Sequence, residues 1–151
     1  IELKFHDSDD RVRRYLLRKI SIENIEIYAL TLNKPRVYEW LQDRKDIWNR
    51  YLILQLLKKI PVRGNIMMLT IYKFLSDDNI PQFDEYLKTN LRDKIPLLRI
   101  KHENSRNDKC LQVVDFIVGA FFQKYNRKKE WYSKIIKEKT EIDEIYLPKK
   151  F

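Results

Sequence analysis

Apolar residues recur along the chain at two spacings, and the alternation between them predicts helices and strands in turn. After Asp7 and Ser8, which are good helix-capping residues, apolar positions follow at helical spacing as far as Ile20. The β-branched and aromatic run 25–32 then predicts a strand, and the apolar stripe of 36–59 predicts a long helix. The chain is therefore predicted to open with helix, strand and helix.

The same alternation continues to the end of the chain. The unbroken apolar run 66–75 predicts a strand buried on both faces, and 97–102 predicts a third strand. The remaining segments are three predicted helices and a short extended tail, at 83–91, 111–125, 131–136 and 142–147. Strands that alternate with helices imply parallel pairing through right-handed crossovers. We therefore expect one α/β domain over 1–151, with a mainly parallel sheet flanked by helices.

Composition excludes several classes of protein. The chain of 151 residues suits one domain with a real core, and its two glycines exclude glycine-rich phosphate loops of the P-loop or dinucleotide type. A lone cysteine, Cys110, rules out a disulfide framework within the chain and fits buried apolar filler better than a nucleophile. Because a single cysteine fits a reducing compartment, we expect a cytoplasmic protein. No stretch is long and apolar enough to cross a membrane, so we expect no membrane partner.

The charge of the chain points to a polyanionic partner. Lysine and arginine number 31 against 22 acidic residues, a formal net charge of +9. Nucleic acid is a partner of the required charge, and an ordinary solvated surface is the alternative.

The excess of positive charge is concentrated near the C-terminus. Between positions 124 and 139 seven basic residues face two acidic ones, and aromatic residues are interleaved with them. This pattern suits phosphate contact and base stacking. The predicted nucleic-acid-binding residues are Lys124, Arg127, Lys128, Lys129 and Lys134. In the alternative, this is an ordinary exposed helix whose Trp131 packs inward, as the spacing 131, 135, 136 indicates.

A carboxylate interrupts the most apolar helix. Nine of the twelve residues in 111–122 are apolar, and the exceptions are Gln112, Asp115 and Gly119, which share one helix face. An isolated buried carboxylate is costly, so Asp115 must be paired, protonated, bound to metal or exposed in a cleft. Gly119 leaves room beside it for a ligand or another backbone. The plain alternative is that Asp115 pairs with an arginine or lysine, or caps a neighbouring helix.

The loop before this helix follows a strand, at the end where α/β folds bind ligands. Ser105 and Asp108 match a capping box, and we take helix capping as the preferred role of Ser105. His102 shares a strand face with Leu98 and Ile100, which favours a hydrogen-bonded core residue over a metal ligand.

These residues resemble a known family. The stretch 102–126 is similar to the C-terminal signature of the domain of unknown function 3800 family: a strand, a polar loop, Leu-Gln-x-x-Asp, then a basic aromatic segment. Upstream, the Glu-x-Lys sequence that ends at Lys4 resembles a family segment. The strand residues 27–29, followed by Lys34, resemble the family's central strand and its lysine.

The resemblance implies a ribonuclease H-like fold, in which acids on central strands and on a late helix hold two divalent metal ions for phosphodiester hydrolysis. By this resemblance Asp115 is the late-helix metal ligand, Gln112 its neighbour and Ser105 the loop residue of the site. The implied cofactor is Mg²⁺ or Mn²⁺.

The chain also departs from the family pattern. The Asp-Glu-Ser-Gly type motif of the N-terminal strand is absent, so we expect strands upstream of Ile1 to complete the sheet. Tyr72 lies near the place of a strand acid, and Asp77, Asp78 and Glu103 are the nearby acids that could substitute as metal ligands. One acid alone binds Mg²⁺ poorly, because hard cations need several oxygen ligands.

Two classes of function follow. The first is a metal-dependent nuclease or other phosphodiester hydrolase. The second is an inactive module on the same scaffold that binds nucleic acid or another protein, including a homo-oligomer in which a second chain completes the thin sheet.

Overall fold

A computed structural model of the chain describes residues 2–32 and 44–146. Lys34 and the first part of the predicted helix 36–59 lie outside the described residues. In chain order, the described elements are α1 (Asp10–Ser21), β1 (Ile27–Leu32), α2 (Lys45–Lys59), β2 (Ile66–Tyr72), α3 (Ile80–Asn90), β3 (Leu97–Glu103), α4 (Lys109–Asn126), α5 (Trp131–Ile135) and β4 (Thr140–Tyr146). The chain is α/β, with short sheets flanked by helices, which confirms the predicted class.

The first helix begins slightly later than the sequence predicts. The cap of α1 is Asp9, whose carboxylate accepts a hydrogen bond from Val12 N at 2.9 Å, and not Asp7 or Ser8. Ser8 instead donates its hydroxyl hydrogen bond to the carbonyl of Lys4 at 2.7 Å. Asp7, Ser8 and Asp9 are all residue types that cap helices, and the cap is Asp9 because its side chain reaches an N–H group of the first turn.

The described strands form two sheets of two strands each, β1 with β4 and β2 with β3. The predicted set of three strands therefore lacked β4, because the extended tail pairs with β1. Near the start of the second pair, Leu97 N donates to Asn65 O at 3.2 Å, so β2 and β3 begin side by side and run parallel.

The core of the β2–β3 sheet lies on one side only. Met67, Leu69 and Ile71 of β2 pack against a buried cluster from α2, α3 and β3. The buried members of this cluster are Leu54, Leu57, Phe83, Leu87, Leu91, Ile95 and Leu98. The alternate residues of β2 are exposed, so the prediction of a strand buried on both faces is wrong. A continuous apolar run does not reveal how many faces of a strand are covered.

The chain divides into two compact units. The first contains residues 2–27 and 102–141, which include α1, α4 and α5. The second contains the described residues of 28–101 and 142–146, which include α2, α3 and most of both sheets. The expectation of a single domain stays a prediction. No helix in the described ranges is long and apolar enough to span a bilayer.

Candidate functional site

The helix that carries the candidate acid is capped by Asp108. Its carboxylate accepts a hydrogen bond from Leu111 N at 3.1 Å, because Asp108 directly precedes the first turn in an extended conformation. The prediction that Ser105 caps this helix is therefore wrong. Ser105 begins a 3₁₀ turn, and its hydroxyl donates to the carboxylate of Glu2.

The stripe of Gln112, Asp115 and Gly119 faces the N-terminal segment of the chain. Asp115 Oδ2 accepts a hydrogen bond from Phe5 N at 2.9 Å, and Gln112 Oε1 accepts one from Leu3 N at 3.3 Å. The Gln112 side-chain amide also donates to the carbonyl of Ser105 at 2.8 Å. The backbone N–H groups of Leu3 and Phe5 thus donate to the side chains of Gln112 and Asp115, which lie about one helical turn apart on α4. The side chain of Asp115 is half-buried, and its hydrogen-bond partner is a backbone amide. Within residues 2–32 and 44–146 no lysine or arginine forms an ion pair with it.

The space beside Gly119 is occupied by the ring of Phe5. A Cβ atom at position 119 would lie 2.2 Å from this ring. The ring is held from other sides as well: Phe116 and Tyr132 meet it edge-on, at centroid distances of 5.8 and 5.4 Å. The Arg13 guanidinium lies 4.0 Å from the ring centroid, and its Nε donates to the carbonyl of Phe5 at 2.9 Å. The missing side chain at position 119 therefore makes room for the chain's own N-terminal segment.

Two carboxylates are associated with this segment, Glu2 and Asp115. The Glu2 side chain is only 21% exposed, and Lys4 Nζ lies 3.9 Å from its Oε1. Asp115 Oδ1 has no hydrogen-bond partner in the part of the chain that the structure describes. Asp115 Oδ1 is therefore available to accept a hydrogen bond from a ligand or to bind a metal ion.

Of the other predicted ligands, Glu103 and Asp77 are engaged in contacts of their own. Glu103 accepts hydrogen bonds from Asn104 N and Asn107 Nδ2, and His102 is half-buried. Asp77 belongs to the second unit, where a hydrogen bond and ion pair with Lys73 at 2.7 Å lower the pKa of its carboxyl. Asp78, its neighbour, is exposed. Within residues 2–32 and 44–146, no group of three or more His, Cys, Asp and Glu side chains is placed to hold a metal ion.

The basic tail forms a surface around an exposed tryptophan. Trp131 is 41% exposed, whereas its neighbour Tyr132 is 3% exposed, so the prediction that Trp131 packs inward is wrong. Tyr132 takes the inward position because its ring meets Phe5 and its hydroxyl donates to Asp10 at 2.6 Å. Lys129 Nζ lies 5.3 Å from the centroid of the Trp131 ring.

Most of the predicted nucleic-acid-binding residues are exposed here. We define the basic surface as Lys124, Arg127, Lys128, Lys129, Trp131 and Lys134. All of these are exposed except Lys124, which is half-buried with its ammonium 5.1 Å from the Tyr125 ring. Lys128 has a positive φ of 54°, which ends α4 and turns the chain so that Lys129 N donates back to the carbonyl of Gln123 at 2.9 Å. The turn thus presents consecutive cations to solvent.

Sequence reasoning missed several residues of this region. Glu2, Phe5 and Arg13 hold the N-terminal segment through contacts with residues far away in sequence or on α1, which no local pattern signals. Cys110 was expected to be buried and is exposed, because it lies on the open side of the first turn of α4.

Comparisons with protein-family models, with curated proteins and with solved structures found no match to this chain. The similarity to the domain of unknown function 3800 family therefore rests on the residues quoted above.

Proposed function

We propose that this chain is a ribonuclease H-like α/β protein that binds single-stranded nucleic acid through the basic surface. The observation that carries the proposal is the exposure of Trp131 among cations, while the adjacent Tyr132 is buried. A ring for a base and a cation for a phosphate lie 5.3 Å apart in Trp131 and Lys129. The net charge of +9 attracts a polyanion over a longer range.

The first test measures binding of a fluorescent single-stranded oligonucleotide over a range of salt concentrations. Trp131→Ala removes the stacking ring, and we expect affinity to fall by about 5- to 150-fold, the range for loss of one base–aromatic stack. The matched control is Tyr15→Ala, which removes another exposed aromatic ring, one that has its own lysine, Lys19, at 5.5 Å. An equal loss for both variants would place the binding elsewhere.

The cations make a separate contribution that salt reveals. Lys129→Gln removes one phosphate contact, so we expect the slope of log affinity against log salt to become shallower by about 0.7. Lys88→Gln removes one exposed charge from α3 in the second unit and should leave the slope unchanged. Affinity that does not depend on salt would contradict the proposal.

A second candidate function, metal-dependent phosphodiester hydrolysis, is favoured by one observation. Hydrogen bonds from Leu3 N to Gln112 and from Phe5 N to Asp115 hold the segment that carries Glu2 against the helix that carries Asp115, and Asp115 keeps one oxygen available. Mg²⁺ or Mn²⁺ would need further oxygen ligands beyond these two. Such ligands would have to be supplied by water, by substrate or by residues outside 2–32 and 44–146.

Cleavage of labelled single-stranded DNA and RNA with Mg²⁺ or Mn²⁺ tests this candidate. We expect Asp115→Asn to abolish cleavage and to leave the fold intact, because an asparagine oxygen still accepts from Phe5 N. The control is Asp108→Asn, which removes a carboxylate from the same helix and keeps a capping side chain. Undiminished cleavage by Asp115→Asn would remove this residue from the chemistry.

A further inference from the structure

One face of the β2–β3 sheet presents a row of apolar side chains to solvent. Exposed fractions are 56% for Ile66, 80% for Met68, 55% for Tyr72 and 53% for Leu97. Thr70, Arg99 and Lys101 are the other exposed residues of these two strands within the second unit. We call these seven residues the open sheet face. Single exposed apolar residues are ordinary, whereas several that adjoin one another on one sheet face are a candidate binding surface.

The pairing of the two strands gives this face an internal order. The hydrogen bond from Leu97 N to Asn65 O places Leu97 beside Ile66 in a parallel pair. Continuing the same register places Arg99 beside Met68. The apolar side chains of Ile66, Met68 and Leu97 therefore cluster where the strands begin, and the cationic side chain of Arg99 adjoins them.

A parallel sheet normally has both faces covered by helices. Here α2 and α3 cover the inner face, through Met67, Leu69 and Ile71 of β2. Among the described residues, nothing covers the outer face to a similar extent. The described residues of the second unit thus supply helices for the inner face and none for the outer face.

We propose that the open sheet face binds an amphipathic, acidic helix of a partner protein. Apolar side chains of the helix pack on Ile66, Met68 and Leu97, and its carboxylates meet Arg99. Arg99 forms no ion pair with any described residue. Exposed Lys101 adds positive charge to the same face. This proposal uses residues of the second unit and does not rest on the proposed function, which uses residues of the first.

Charge and chemistry distinguish this occupant from two others. A second copy of this chain would bring Arg99, Lys101 and a further net charge of +9 to the contact, which electrostatic repulsion disfavours. For nucleic acid, the face offers a single aromatic ring, that of Tyr72, on which a base could stack, because its other apolar side chains are not aromatic. An acidic amphipathic helix matches both the apolar cluster and the cations.

The test uses the full chain and a displayed library of amphipathic helical peptides. One face of each peptide carries apolar residues, and the flanking positions vary among Glu, Gln and Lys. We expect selected peptides to be enriched in Glu, and Met68→Asp to weaken their binding by about tenfold or more, as loss of a central apolar contact does. Arg99→Glu should reverse the preference from Glu to Lys. Arg92→Glu, an exposed charge reversal outside the face, should change neither result.

Four outcomes would overturn the proposal. The first is the absence of any enriched peptide, and the second is equal binding to the parent chain and to Met68→Asp. The third is self-association in sedimentation that Met68→Asp abolishes, which would assign the face to a second copy. The fourth is that Met68→Asp no longer binds the fluorescent single-stranded oligonucleotide, which would assign the face to nucleic acid. Met68 is mostly exposed, so its substitution should not unfold the chain, and circular dichroism of each variant checks this.

Discussion

Gly119 has no side chain where α4 passes beneath the ring of Phe5. Glycine inside a helix costs about 1 kcal/mol relative to alanine. This cost is offset by the close approach of the ring, which is fixed by Phe116, Tyr132 and Arg13. On the same helix face, Gln112 and Asp115 accept hydrogen bonds from the backbone of the N-terminal segment, and Gly119 leaves space for the Phe5 ring.

Gly119→Ala is therefore expected to destabilise the protein although alanine is the better helix former. The added Cβ would lie 2.2 Å from the Phe5 ring, and overpacking of this kind costs about 1–3 kcal/mol, more than the gain in helix propensity. Denaturant unfolding measures the difference. In a Phe5→Val background, which lacks the ring, the same substitution should become neutral or stabilising. Stabilisation in both backgrounds would show that the ring does not constrain position 119.

At the scale of elements, β4 is attached to α2 by a pair of tyrosines. The hydroxyls of Tyr51 and Tyr146 lie 2.9 Å apart, and their rings meet at 5.8 Å. Burial and the Tyr51 hydroxyl raise the pKa of Tyr146 to about 12. Lys59 and Glu144 add an ion pair at 3.0 Å between the same two elements. The strand that sequence patterns predicted as a short extended tail thus has side-chain partners on a helix far away in sequence.

Raising the pH should weaken this attachment. The folded pKa of Tyr146 lies above the unfolded value of about 10, so the folded state holds a proton that the unfolded state releases. The stabilisation is fully present below pH about 10 and is lost as the pH rises towards about 12. Unfolding free energies measured across this interval should fall less for Tyr146→Phe than for the parent chain. Equal slopes for the two proteins would contradict the assignment, and Tyr15→Phe serves as a control at an exposed tyrosine.

Sequence patterns predicted which segments are helical or extended better than they predicted what those segments contact. The run 66–75 gave a strand, but an apolar run without alternation does not tell one covered face from two. The pairing of β1 with β4 joins distant segments, and no local pattern encodes it. At the candidate site, the shared face of Gln112 and Asp115 was predictable from spacing, whereas their partners Leu3 and Phe5 were not.

The adjacent aromatics illustrate the same ambiguity. Positions 131, 135 and 136 fit one inward helix face, and positions 132 and 136 fit another. Tyr132 takes the inward position because its ring packs on Phe5 and its hydroxyl donates a hydrogen bond to Asp10. Such a choice depends on tertiary partners and is absent from the spacing itself.

At the scale of the whole molecule, the net charge of +9 sets the response to salt. Ion pairs such as Arg14–Asp10 and Lys59–Glu144 are substantially exposed, and such pairs contribute about 0–1 kcal/mol each. Repulsion among the excess cations acts over the entire chain and is screened by salt as well. Because the charge excess is large and these exposed ion pairs are weak, we expect the repulsion to dominate.

Sodium chloride should therefore raise the midpoint of thermal unfolding between low and physiological ionic strength. Calorimetry at several salt concentrations measures this shift. The double variant Lys128→Gln with Lys129→Gln lowers the excess charge and should show a smaller rise. A midpoint that falls with added salt would mean that the surface ion pairs outweigh the repulsion.

The hydrogen bond between Phe5 and Asp115 also affects how the protein is made. Its two partners are separated by 110 positions in the chain. At a ribosomal rate of about 5–20 residues per second, the amide of Phe5 waits roughly 5–20 s after its own synthesis before the carboxylate that receives it is added. During that interval the apolar ring of Phe5 has no α4 to pack on. The Phe5 ring therefore stays without its partners on α4 until that helix has been synthesised, so this part of the fold can form only after translation has passed position 119.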